Sequence, residues 1–133
     1  MATIRKEIRT RAHPDAAWDA MRDIGALHER LVVGFVVDTR LDGDARIVTF
    51  ANGMQVRELI VGIDEKARRL AYSAVGASCT HHNASAEIVP DGDGSRVIWT
   101  ADLLPDSVAG NIEAMMEQGA QAMKRTLDRI SDA

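Results

Sequence analysis

From Asp106 onward, apolar residues fall at Val108, Ile112, Met115, Met116, Gly119, Ala122, Met123, Leu127 and Ile130. That spacing holds a helical period for about six turns, with one apolar stripe and a polar back. Pro105, Asp106 and Ser107 make a suitable start for it. A helix this long with one greasy face needs a broad apolar surface to lie on, and the segments before it supply one.

Those segments read as strands separated by turn signals. Thr3–Arg11 has Ile4 and Ile8 on one face, continued by Thr10 and Ala12. Ala12–Met21 then reads as a helix, with Pro14 in its first turn, Asp15 at its positive end, and Trp18 and Met21 as its buried stripe. A second short helix is expected at about Ile24–Arg30, jointed at Gly25. Strands follow over Leu31–Leu41, Ala45–Ala51, Met54–Ile63, Arg68–Gly76, Thr80–Pro90 and Ser95–Leu104. The breaks between them carry Asp42-Gly43-Asp44, Asn52-Gly53, Asp64–Ala67 and Asp91–Gly94; Asn-Gly is a strong hairpin signal because both residues tolerate positive φ. The expected architecture is α+β: a curved antiparallel sheet of seven strands wrapped around a long C-terminal helix, with two short helices after the first strand.

Bulk properties narrow the function. The 133 residues suit one domain spanning 1–133 with a real core, and no repeat, low-complexity tract or linker divides them. Apolar residues make up 46% and charged residues 27%, an ordinary globular composition. The net charge of −4, without clustered Lys or Arg, argues against a nucleic-acid partner. The longest strongly apolar run, Leu31–Val37, is too short to span a bilayer, so no membrane insertion is expected. Residues 1–7 carry charge where a signal peptide needs an apolar stretch, and one cysteine, Cys79, cannot form an internal disulfide. A cytoplasmic protein, monomer or homodimer, is the expectation.

Which side chains meet the helix depends on register. A two-residue turn at Asn52-Gly53 would pair Ala51 with Met54, Thr49 with Val56 and Ile47 with Glu58. A four-residue loop at Asp91–Gly94 would pair Pro90 with Ser95, placing Glu87 opposite Ile98, Ser85 opposite Thr100, Asn83 opposite Asp102 and His81 opposite Leu104. Two facings then compete. Hydrophobic alternation sends Val97, Trp99 and Ala101 inward and leaves His81, Asn83, Ser85 and Asp102 in water. The other facing turns that polar strip toward the helix, and a one-residue slip in register exchanges the two.

The element order, with Ala12-His13-Pro14-Asp15-Ala16-Ala17-Trp18 after the first strand, resembles the SRPBCC superfamily. That superfamily includes START-related lipid-transfer domains, birch-pollen-allergen-like proteins and the polyketide cyclase/dehydrase group, which often reads Ala-Pro-x-x-x-Val-Trp here. In this chain Ala17 replaces the Val, and His13 is inserted before Pro14. Glu58–Asp64 followed by Arg69-Leu70-Ala71-Tyr72 is similar to the family's Glu…Asp…Leu-x-Tyr stretch, and Asp93–Thr100 to its Gly-Thr-x-Val-x-Trp strand. The resemblance covers nearly the whole chain and implies a helix-grip fold with a ligand cavity under the helix. In similar proteins such as the plant abscisic-acid receptors, the residues matching Glu58 and Tyr72, and those near Asn83 and Ser85, point into that cavity. It therefore implies the second facing, with a cavity lined by Ile47, Val56, Glu58, Tyr72, His81, Asn83, Ser85, Ile98, Thr100, Ile112, Met115, Met116, Gly119 and Met123.

Such a cavity suits a small hydrophobic or amphipathic molecule, held by a carrier or sensor. Glu58 leads the chemical candidates, because an isolated carboxylate in an apolar cavity resists ionisation and serves as a general acid or base. A solvent-facing strand glutamate beside Arg57 is the plain alternative. His81 and Asp102, with Asn83, could form a proton shuttle, against the plain reading that His81-His82 sits at a wet strand end. With Tyr72 these residues would serve the enzyme alternative, a polyketide cyclase, aromatase or dehydratase. No metal is expected: Cys79-x-His81-His82 matches no zinc spacing. No cofactor is expected either, since Gly92 and Gly94 lie in a hairpin turn and precede no helix. Trp99 reads as core or as a self-association patch, the mark of a third possibility, a protein-partner module.

Overall fold

The computed structural model describes residues 1–76 and 78–132. Strand β1 (Ala2–Thr10) leads into helix α1 (Pro14–Arg22), a single 3-10 turn (Ile24–Ala26) and helix α2 (Leu27–Arg30). Strands β2 (Val36–Asp42), β3 (Ala45–Phe50), β4 (Gln55–Asp64), β5 (Arg69–Val75), β6 (His81–Asp91) and β7 (Gly94–Leu104) follow, and helix α3 (Ala109–Asp132) closes the chain. The strands form one seven-stranded antiparallel sheet in the order β1-β7-β6-β5-β4-β3-β2, so the first strand pairs with the last. This is the helix-grip fold, a curved sheet around a long C-terminal helix.

Local chemistry explains the entry into α1. His13 is extended at the N-cap and its Nδ1 accepts from the Asp15 N–H at 3.1 Å, while Pro14 occupies the first helical position, where its missing N–H costs nothing. The segment expected to be strand from Leu31 begins only at Val36, because Leu31 and Val32 are buried in a tight turn through Gly34 at φ +87°.

The core lies between the inner face of the sheet and α3. Ile8, Trp18, Met21, Leu70, Ile88, Val97, Met123 and Leu127 form its larger part. Ile4, Tyr72, Ala84, Ala101, Leu103 and Met116 form a second part toward the start of α3. Each fully buried Leu, Ile, Val or Met adds roughly 1.5–3 kcal/mol of transfer free energy. Asp128 fastens the far end of α3 to the sheet, accepting from Thr10 Oγ1 at 2.7 Å and the Arg11 N–H at 3.0 Å. Among the described residues, no helix is long and apolar enough to cross a membrane.

Candidate functional site

The site begins with one hairpin. Phe50 N–H donates to Met54 O at 2.9 Å and Gly53 N–H to Phe50 O at 2.9 Å, with Gly53 at φ +89°. The β3–β4 connection is therefore the three residues Ala51–Gly53, not the two-residue turn that Asn52-Gly53 suggests. The extra residue moves the register by one: Glu58 pairs with Arg46 rather than Ile47, and Val56 with Val48 rather than Thr49. Successive strand residues alternate faces, so Arg46, Val48, Val56 and Glu58 share the inner face while Ile47 goes outward beside Arg57.

Arg46 and Glu58 form an ion pair inside the protein. Arg46 Nε donates to Glu58 Oε1 at 2.8 Å, with side chains 4% and 11% exposed. Arg46 Nη1 reaches the Ile24 carbonyl at 3.3 Å, and the guanidinium carbon stands 5.7 Å from the centre of the Tyr72 ring. Glu58 is thus a paired carboxylate, which corrects the expectation of an isolated one. The partner supplies both charge and a hydrogen bond, where the single-residue argument supplied neither.

Tyr72 and His82 complete the polar end. Trp99 Nε1–H donates to Tyr72 Oη at 2.9 Å. Burial first, and then the Glu58 charge, push the Tyr72 phenol well above its usual range, outweighing the opposing effects of Trp99 and Arg46. Tyr72 is accordingly a donor and not a base. His82 Nδ1 accepts from the Ala74 N–H at 3.0 Å, so the neutral ring carries its proton on Nε2. Burial lowers the His82 pKa, against the Glu58 charge, with His81 adding to the lowering.

Around this cluster is a cavity of about 120 Å³. The short helices and the turn after them contribute Met21, Leu27, Leu31, Val32 and Phe35, and the strands Val36, Val48, Phe50, Leu70, Ala86, Trp99 and Ala101. Helix α3 closes it with Ile112, Met115, Met116 and Met123. Phe35 and Phe50 meet edge to face, their centroids 5.2 Å apart at 72°. The cavity is apolar except where Arg46, Glu58, Tyr72 and His82 converge.

Of the residues expected to line it, Glu58, Tyr72, Ile112, Met115, Met116 and Met123 do so. Gly119 faces inward just beyond, where an added Cβ would lie 3.1 Å from both Phe35 and Trp99. Val56 is half-buried on the inner face but away from the cavity lining. His81, Asn83, Ser85, Ile98, Thr100 and Asp102 must be corrected. The β6–β7 register is as expected, with Asn83 opposite Asp102 and Pro90 opposite Ser95, but the facing is the reverse. Ala84, Ala86, Ile88, Val97, Ala101 and Leu103 are buried, and the polar strip faces away from the helix. Burying a polar group without a partner costs more than hydrophobic alternation gives up, so alternation prevails. Asp102 accepts from Thr3 Oγ1 at 2.7 Å on this outer side.

Sequence reasoning missed Arg46, His82, Phe35 and Phe50 as lining residues, while Trp99 points inward as the facing from hydrophobic alternation expected. The His81-His82 doublet held a usable signal: adjacent strand residues face opposite ways, so one of the two must point inward. Cys79 packs against the second core part, where burial raises its thiol pKa, and it is a poor nucleophile there. Among the described residues, no three His, Cys, Asp or Glu side chains gather where they could hold a metal ion.

The model of the family described as polyketide cyclase / dehydrase and lipid transport matches residues 1–133. The chain belongs to that family. Its SRPBCC membership also agrees with solved structures. The protein XoxI from Bacillus cereus superposes with a TM-score of 0.84 at 17% identity, covering 96% of each chain. A Thermobifida fusca protein gives a TM-score of 0.74 at 27% identity, over 96% of this chain and 91% of its own. Ara h 8.0201 gives 0.73 at 16%, over 95% of this chain and 97% of its own. No curated protein matches the chain in sequence. At such identities these structures establish the shared fold.

Proposed function

We propose that this protein binds a small hydrophobic or amphipathic molecule in the cavity between the sheet and α3, as a carrier or sensor. The observation that carries this reading is an apolar cavity ending in one buried polar cluster, Arg46–Glu58 with Tyr72 and His82. Apolar walls supply non-directional attraction, and a few fixed polar groups set orientation, which is the usual design of a ligand site. The family's description, polyketide cyclase / dehydrase and lipid transport, supports the same class of occupant. The test uses Trp99, which lines the cavity, against Trp18, which does not. A ligand in the cavity changes the fluorescence of the Trp18→Phe variant, where Trp99 remains, and leaves that of Trp99→Phe unchanged. If no hydrophobic probe changes the Trp99 signal in a saturable way, the reading fails.

A second reading, a cyclase or dehydratase, draws support from one feature. His82 offers a proton-bearing Nε2 at the cavity wall, and burial disfavours its charged form, so the neutral ring is placed to donate a hydrogen bond to a substrate oxygen. His82 here takes the part that His81 and Asp102 lose by facing outward. On this reading His82→Gln abolishes turnover of a polyketide-like substrate and leaves its binding intact; on the carrier reading the bound molecule is released chemically unchanged.

A further inference from the structure

The cavity's polar end has more donors than acceptors. Arg46 uses Nε on Glu58 and Nη1 on the Ile24 carbonyl; its Nη2 has no acceptor among the described residues. The Tyr72 oxygen is the acceptor for Trp99 Nε1–H, which can only donate, and among the described residues the phenol's own hydrogen has no acceptor. His82 uses Nδ1 as an acceptor from Ala74, which leaves Nε2–H as a third donor with no acceptor among the described residues. Against these stands one acceptor, the second oxygen of Glu58. Arg46 and Glu58 cancel in charge, so the end offers donors without a net positive field.

We infer that the occupant, if the binding reading above holds, is a molecule of about one aromatic ring that presents a neutral carbonyl oxygen to Arg46 and Tyr72. Size follows from the cavity of about 120 Å³, since an engineered cavity of about 150 Å³ encloses one benzene. The oxygen follows from the donor surplus, because a ligand that covers these donors without an acceptor for them loses binding, and an acceptor on the ligand removes that cost. Neutrality follows from the Arg46–Glu58 pair, whose charges cancel and leave no net positive field to hold a carboxylate. The inner wall limits the size further. Gly119 lies where even a methyl group would meet Phe35 and Trp99 at 3.1 Å, so α3 already sits against the aromatic side chains there.

The experiment is a set of matched probes followed by Trp99 fluorescence and by amide NMR shifts on the intact chain. Acetophenone and ethylbenzene share one shape and differ in the oxygen; benzoate adds charge, and 2-acetonaphthone adds a ring. Acetophenone is expected to bind at least tenfold tighter than ethylbenzene and tighter than benzoate or 2-acetonaphthone. Tyr72→Phe is expected to reduce the acetophenone preference severalfold while ethylbenzene binding persists, which shows that the variant is folded. Equal binding of acetophenone and ethylbenzene overturns the carbonyl inference and leaves the binding reading standing. Tighter benzoate overturns the neutrality, and tighter 2-acetonaphthone the size. If no probe shifts the cavity amides, both this inference and the binding reading fall.

Discussion

The two faces of one sheet carry polar clusters built from similar residues. Inside, Arg46, Glu58, Tyr72 and His82 meet beneath α3; outside, Thr3, Asn83 and Asp102 meet on β1, β6 and β7, with His81 nearby. Each pairs residues across neighbouring strands, and each contains a carboxylate and lies beside a histidine. The difference is solvent. A group on the outer face can exchange its partner for water at little cost, while a group on the inner face has only its protein partners or a ligand. A polar residue therefore gains functional meaning from the face it occupies more than from its chemistry, and the largest experimental contrast should be between these clusters.

Breaking the buried ion pair gives the strongest effect. Glu58→Leu leaves the Arg46 guanidinium buried and unpaired, and is expected to cost about 3–5 kcal/mol in urea unfolding. Arg46→Met combined with Glu58→Leu should recover most of that loss, because an apolar pair fills the space without charge. If Glu58→Leu alone costs less than about 1 kcal/mol, the pair is reached by water and the contrast between the faces weakens.

The helix permits the same comparison in its glycines. An added Cβ at Gly119 would press on Phe35 and Trp99, whereas one at Gly110 would meet nothing within 4 Å. Gly119→Val is expected to cost about 1–3 kcal/mol by overpacking and to weaken occupancy of the cavity. Gly110→Ala should be neutral or stabilising by up to about 1 kcal/mol, from helix propensity. Thermal denaturation of both variants checks this. Tyr72→Phe comes next, at about 1–2 kcal/mol, since it removes the acceptor of the half-buried Trp99 N–H.

Much of the fold was legible because period and punctuation are local. The stripe from Val108 to Ile130 could only be a long amphipathic helix, and Asp91–Gly94 placed the β6–β7 register correctly, down to Asn83 against Asp102. The site was less legible because it depends on parity. At β3–β4 the hairpin loop holds three residues where Asn52-Gly53 suggested two, and that one residue hid Arg46 behind Ile47. At β6–β7 the register was right, yet the resemblance to relatives with polar cavities pointed the wrong face inward. Alternation in this chain's own residues, with Ala84, Ala86 and Ala101 opposing Asn83, Ser85 and Asp102, gave the right answer there.

Acidification tests the inner cluster more gently. The half-buried His82 ring has a lowered pKa in the folded chain, so the unfolded chain binds the proton first as pH falls. The stability it contributes is complete above the ordinary histidine value of about 6.5 and is lost as pH falls from there through the lower folded value. Urea midpoints compared at pH 7.5 and 5.5 should drop less in His82→Gln than in the wild type. An equal drop would assign the pH sensitivity to other groups. The carboxylates held low by their partners, Asp15 by Arg68 and Glu65 by Trp18 and Arg22, lose their contributions only in the more acidic range below their ordinary values.

The smallest effect is expected from the outer carboxylate, and its smallness is informative. Asp102 accepts from Thr3 Oγ1 at 2.7 Å, a bond as short as any in the inner cluster. Distance alone would rank it with the Arg46–Glu58 contact at 2.8 Å. Exposure predicts otherwise: after Asp102→Ala the Thr3 hydroxyl bonds to water, and the change in stability should stay within about 0.5 kcal/mol. The variant should also leave probe binding in the cavity unchanged, since Asp102 faces away from it. A loss of several kcal/mol, or a loss of binding, would mean that the outer strip is shielded from water in solution. That would require this face to be covered by another molecule, and sedimentation velocity of the wild type would then show an assembly larger than one chain.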